Sequence, residues 1–210
     1  MNFEKILVLA PHVDDGEVGC GGAIAKFNEE GKKVYYVAFS IAEKSVPKKW
    51  PSDILLTEVK KATKVLGINE RNLIVYRYEV RTFPLHRQEI LEDLIKLREK
   101  IKPDLILLPS LNDIHQDHKT IAEEGVRTFK QYTILGYEEP WNNIAFETRV
   151  FIPLEKRHVE KKIKALKCYK TQRHRKYLDE EFIRSLARTR GTQIEGKYAE
   201  SFEVMRWVIK

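Results

Sequence analysis

Apolar positions along the chain follow two alternating rhythms. Four short runs are apolar at nearly every position: residues 5–10 (KILVLA), 34–40 (VYYVAFS), 72–76 (NLIVY) and 105–109 (LILLP). Such runs predict strands buried on both faces. The stretches between them carry apolar residues at helical spacing. They predict a first helix over residues 17–30, ended by Gly31. A second follows Pro51-Ser52, its apolar stripe made by Leu55, Leu56, Val59, Ala62, Val65 and Leu66 and its end marked by Gly67. A third is predicted over 89–100 and a fourth over 119–130. Beyond residue 130 the pattern is less regular. It reads as a loop holding Gly136, Pro140 and Trp141, a strand over 147–152, a basic helix within 155–176, a helical stretch over 180–188 and a terminal strand over 202–208.

Strand–helix alternation of this kind implies an α/β fold, a mainly parallel sheet with helices on both faces, here as one domain spanning residues 1–210. No internal repeat or low-complexity linker divides the chain. In such open sheets ligands bind beyond the carboxyl ends of the strands, where the strand order reverses. With the common order 3-2-1-4, strands one and four lie side by side at that point. The loops after these two strands are about a hundred residues apart in sequence, yet should meet in space.

Composition narrows the class. A chain of 210 residues, 42% hydrophobic and 33% charged, is an ordinary globular protein able to bury a core. No apolar run approaches the length of a membrane span, and the N-terminus has no secretory leader, so a cytoplasmic protein is expected. Cys20 and Cys168 form no CxxC pair and are expected as free thiols. The formal net charge of +7 raises the question of nucleic acid. In the densest basic stretch, however, Val159, Ile163, Leu166 and Tyr169 recur at helical spacing, which leaves the lysines as a solvated outer face. No nucleic-acid partner is expected. The charge suits instead an anionic small substrate, such as a sugar carrying a phosphate.

Candidate chemistry lies in the two switch-point loops, Pro11-His12-Val13-Asp14-Asp15-Gly16-Glu17 and Asn112-Asp113-Ile114-His115-Gln116-Asp117-His118. A catalytic zinc takes about three protein ligands and leaves a position for water. His12, Asp15 and His118 supply that set. Asp14 remains free as a general base, and His115 is placed to stabilise a developing oxyanion. Asp14 and Glu17 also have the spacing of a helix capping box, but capping leaves the histidines unexplained. Gly19-Cys20-Gly21-Gly22 departs from a dinucleotide fingerprint, because Ile24 stands where the third glycine belongs and the acids would repel a pyrophosphate. Two histidines and a carboxylate also suit iron(II). The surplus Asp14 favours hydrolysis.

Three segments together, ILVLAPHVDDGEVGCGGAIAKFNEEGKKV, DIHQDH and GKYAESFEV, resemble the LmbE-like or PIG-L superfamily of zinc-dependent N-acetylglucosaminyl deacetylases. The family's A-H-P-D-D-E appears here with Val13 for the proline and Gly16 for the final acid, with Glu17 next to it. The resemblance implies a Rossmann-like fold and one zinc held by His12, Asp15 and His118. It further implies Asp14 as base and then acid, His115 as oxyanion stabiliser and Asp117 as the carboxylate orienting a histidine. Removal of acetate from an N-acetylated sugar or sugar conjugate is the implied reaction. Another metallohydrolase reaction, on a phosphoester or a different amide, is the alternative, with Asp113 or Asp117 around a second metal. For the sugar itself Arg81, which follows strand three, and Trp141 and Asn143 in the later loop are the candidates. Glu17 and Glu200 have no role assigned from sequence, and the oligomeric state, a homo-oligomer included, stays open.

Overall fold

The first apolar run becomes β1 (Lys5–His12), every residue of which from Ile6 onward is buried. In a computed structural model that describes residues 3–209, β1 sits between β2 (Lys33–Ser40) and β4 (Leu105–Pro109) and is parallel to both. β3 (Leu73–Val75) pairs in parallel with β2, and β5 (Thr133–Tyr137) in parallel with β4. Two antiparallel strands, β6 (Val150–Leu154) and β7 (Tyr198–Arg206), complete a sheet of order β3-β2-β1-β4-β5-β7-β6. The expected 3-2-1-4 order is present, with its reversal between β1 and β4.

Side chains alternate across the pleat. Ile6, Val8 and Ala10 of β1 pack on one face with α1 (Asp15–Glu29) and α2 (Ile54–Val65), where Ile24, Val59 and Ala62 are fully buried. Leu7 and Leu9 pack on the other with α3 (Arg87–Ile101) and α4 (Gln116–Thr128), through Ile90, Leu94 and Ile121. A third cluster, around Val159, Ile163 and Ile183, joins α5 (Lys156–Leu166) and α6 (Glu180–Thr192). Among the described residues no helix is long and apolar enough to cross a membrane.

Five features differ from the sequence expectation. β5 occupies a segment read as irregular loop. Its Gly136 signals a break, yet a Cβ there would meet the Met205 side chain at 2.6 Å, so the residue marks close packing against β7. The terminal strand begins at Tyr198 rather than 202, and β6 starts at Val150 rather than 147. The basic helix ends at Leu166, and residues 170–172 and 176–178 form short 3-10 turns. Nor are its cations all solvated: Lys162 is buried and paired with Glu200 at 2.6 Å.

Glu200 thereby gains a structural role. α1 is interrupted at Cys20 (φ −143°, ψ 24°), which leaves N–H groups of the following turn without helical acceptors. Glu200 accepts from the N–H of Gly22 at 2.9 Å and of Ala23 at 2.7 Å. The glycines before the break allow close packing. A Cβ at Gly16 would meet the Tyr36 ring at 2.6 Å, and one at Gly19 would overlap Tyr137.

Candidate active site

The loops that leave β1 and β4 meet at the sheet edge. His12 ends β1, Asp15 opens α1, and His118 lies in the first turn of α4, all three buried. Asp15 Oδ2 is 3.2 Å from His12 Nδ1 and 3.2 Å from His118 Nε2, and those two nitrogens are 3.2 Å apart. The same oxygen accepts the His12 backbone N–H at 2.7 Å. Each imidazole is turned by a carboxylate on its far nitrogen. Asp117 Oδ2 lies 2.9 Å from His12 Nε2, and Asp113 Oδ2 lies 2.8 Å from His118 Nδ1. With the ring protons directed outward to those carboxylates, two nitrogen lone pairs and a carboxylate face one point. Such a set requires positive charge at its centre. Burial works against a charged His12, but Asp15, with the hydrogen bond to Asp117, raises it to about 9; His118 is likewise raised, against its burial, by Asp15 and Glu139.

The donor set also fits a metal by size. Donors about 2.0–2.1 Å from a tetrahedral zinc lie about 3.3 Å from one another, close to the spacing observed. Outward hydrogen bonds from ligand imidazoles to carboxylates are the usual support of such ions. One ring nitrogen from each of His12, His115 and His118 falls within 4.8 Å of the others, and so do single atoms of Asp15, His118 and Glu139.

Asp14 stands apart from this cluster. Although it occupies the position before α1, its side chain makes no capping hydrogen bond. The capping-box pattern is therefore not realised. Asp14 instead lines a cleft of about 220 Å³ that also contains His12, Asp15, His115 and His118. Burial and the charge of Asp15 push its pKa up to about 6, partly opposed by Arg175. Glu17, the other half of that pattern, is fully buried and held by the hydroxyls of Tyr36 and Tyr169, with Tyr169 Oη at 2.7 Å. Both hydroxyls also lie against the Val13 carbonyl, so Glu17 braces the loop from beneath.

His115 caps α4 with its ring: Nδ1 accepts the Asp117 N–H at 3.2 Å. Burial and the charges of His118 and His12 pull its pKa down to about 4. A neutral His115 with Nδ1 so engaged carries its proton on Nε2, a free donor. Asp117 binds two loops at once, accepting from Arg81 N at 2.6 Å and Phe83 N at 3.2 Å besides His12. Burial opposes the charge, but the hydrogen bonds from His12 and Arg81 hold that carboxyl below its usual range. The contact fixes Arg81 in the left-handed region (φ 72°) at the cleft, a conformation unfavourable for a residue with a Cβ.

Trp141 lines the cleft, but Asn143 does not; its neighbour Asn142 takes that place. Asn143 Oδ1 accepts the Glu139 N–H at 2.7 Å, which commits it to the loop. Sequence reasoning passed over Asp113 as a support for His118, and missed Glu139, Gln172, Arg175 and Tyr177. Glu139 follows β5 and is 1% exposed, with Oε2 3.3 Å from His118 Nδ1; recognising that strand would have placed its carboxyl end at this edge. The last three follow the basic helix, where a stretch rich in lysine and arginine gave no sign of turning inward.

Residues 7–129 match the family model described as PIG-L, GlcNAc-PI de-N-acetylase. The chain is 26% identical over 175 residues to an uncharacterized deacetylase of Escherichia coli, YaiS, across 79% of this chain and 90% of that protein. Its structure is similar to that of N,N'-diacetylchitobiose deacetylase from Pyrococcus horikoshii, with TM-score 0.81 and 23% identity over 97% of this chain and 84% of that one. It is also similar to GalB, the 4-carboxy-2-hydroxymuconate hydratase from Pseudomonas putida, with TM-score 0.77 and 20% identity over 99% and 98%. At such identities the structural likenesses establish the architecture, and one architecture carries both a deacetylase and a hydratase.

Proposed function

The chain belongs to the PIG-L family, metal-dependent hydrolases of N-acetyl amide bonds, and from that premise we propose that it uses one zinc ion to remove acetate from an N-acetylglucosamine-type sugar or conjugate. The observation that carries this reading is the 3.2 Å triangle of His12, Asp15 and His118 beside an uncommitted Asp14. His12, Asp15 and His118 would hold the ion, which when bound supplies a Lewis acid and makes a water molecule far more acidic than bulk water.

This chain's own residues do the rest. Asp14 takes the proton from the attacking water and returns it to the departing amine, so the amide C–N bond breaks to acetate and a free amino sugar. The His115 Nε2–H donates to the carbonyl oxygen as that carbon becomes tetrahedral and negative charge develops. Asp117 and Asp113 keep the two imidazoles in the tautomer that offers a lone pair inward. Arg81 and Trp141 are the sugar contacts in this reading, with Asn142 replacing Asn143. The likeness to the hydratase bears on the fold alone, and three donors around one point support a single ion rather than a pair.

The test is metal dependence of acetate release. Treatment with a chelator should abolish release from N-acetylglucosamine derivatives, and one equivalent of zinc per chain should restore it. Full activity after verified removal of the metal would end this reading, and phosphate release from phosphoesters with two metals per chain would favour the alternative. Asp113→Asn tests the support of His118. It should weaken zinc affinity about 10- to 100-fold, measured by competition with a chromophoric chelator, and an unchanged affinity would remove Asp113 from that role.

A further inference from the structure

One wall of the cleft has no task in the reaction itself. Trp141 and Tyr177 stack with ring centroids 4.1 Å apart and planes 11° from parallel. The Arg175 guanidinium lies 5.6 Å from the Tyr177 centroid. Arg175 Nε donates to Gln172 Oε1 at 2.5 Å, and Nη1 donates to Tyr177 Oη at 2.6 Å. Gln172 is itself 3% exposed, so the guanidinium is held from behind by a fixed amide.

Both of those acceptors are neutral. Among the described residues Arg175 has no ion-pair partner, whereas the other half-buried arginines, Arg98, Arg184 and Arg190, each meet a carboxylate. Withdrawing a charge from water without an opposite charge is costly. Arg175 lines the cleft with most of its N–H donors still unengaged. The cleft lining also includes the apolar Ala42, Leu55 and Val80, which cannot satisfy it. Asp14 feels its charge but lies beyond ion-pair distance.

We infer that Arg175, mounted on the Trp141–Tyr177 wall, is an anion subsite, and that the substrate is an N-acetylated sugar bearing a phosphate or carboxylate group. The inference rests on the deacetylase reading. An aromatic wall suits the apolar face of a sugar ring, and a preorganised guanidinium beside it suits an oxyanion carried by that ring or by its aglycone. The net charge of +7 draws such substrates toward the protein.

The experiment compares kcat/KM of the zinc-loaded enzyme for N-acetylglucosamine, its 1-phosphate, its 6-phosphate and N-acetylmuramic acid, which place an anion at three positions. At least one anionic sugar should exceed the neutral one by about 10- to 100-fold, the worth of a charge-assisted hydrogen bond. Arg175→Gln should collapse that ratio toward one, and Arg175→Lys should keep part of it. Arg173→Gln, an exposed neighbour outside the cleft, should change neither activity nor ratio. A wild-type ratio near one overturns the inference. So does a preference that survives Arg175→Gln, including the case in which that variant slows all substrates equally through Asp14. If no sugar is deacetylated, the deacetylase reading fails on its own. Calorimetric binding of glucosamine 6-phosphate against glucosamine, to wild type and Arg175→Gln, then still decides for or against the subsite.

Discussion

Asp14→Asn is expected to fold, to bind zinc as the wild type does and to lose about 10²- to 10⁴-fold in turnover, the usual worth of a positioned general base. The other aspartates of the cluster are committed. Asp15 Oδ2 serves the His12 backbone and faces both imidazoles, Asp117 holds His12, and Asp113 holds His118. Glu139 keeps one oxygen unpaired but does not border the cleft, whereas Asp14 makes no capping bond and does border it, so Asp14 is the carboxylate placed to move a proton. Asparagine has the same shape and cannot accept that proton. Metal analysis, circular dichroism and a steady-state acetate assay on the same preparation check the three parts of the expectation. Activity within about 3-fold of wild type, well below the effect of losing a base, would require a different base.

The sequence showed most where single segments determine their own structure. β1, β2 and β4 are buried on both faces, and burial of that kind leaves an uninterrupted apolar run with little else to read. Knowing that β1 and β4 are neighbours was enough to bring His12, Asp15 and His118 together from two loops, because α/β sheets place their sites at that edge. Legibility ended where structure depends on contacts between distant segments. Gly136 reads as a break until Met205 is known to fill the space beside it. Arg175 belongs to an outward-facing basic stretch until the chain leaves α5 and turns inward through two short helical turns. Asp14 and Glu17 have the spacing of a capping box, but the Tyr36 and Tyr169 hydroxyls draw Glu17 beneath the loop and no capping bond forms. Local pattern identified the residues of the two switch-point loops; which partner each one takes was decided by the packing around it.

Glu200→Ala should destabilise the fold more than any exposed substitution, by about 3–5 kcal/mol, as expected when one member of a buried ion pair is removed. For a chain of this length that is about 6–20 °C in Tm. The cost has two sources. Lys162, 5% exposed, loses its carboxylate and is left as an uncompensated buried cation. The N–H groups of Gly22 and Ala23 lose their acceptors at the point where Cys20 interrupts α1. Replacing both members, with Glu200→Met and Lys162→Met together, should recover part of the loss, because no charge is then left buried; the two N–H groups would remain uncapped and hold the double variant below wild type. Differential scanning calorimetry on the single and double variants measures the coupling. Additive losses would show that the pair does not act as a unit. The same residue bears on the reaction from a distance, since α1 begins at Asp15 and its second half is anchored by Glu200. Well below its Tm the Glu200→Ala enzyme should therefore keep its zinc and its choice of substrate, with the defect confined to stability; loss of zinc at low temperature would mean that the anchor also sets the position of Asp15.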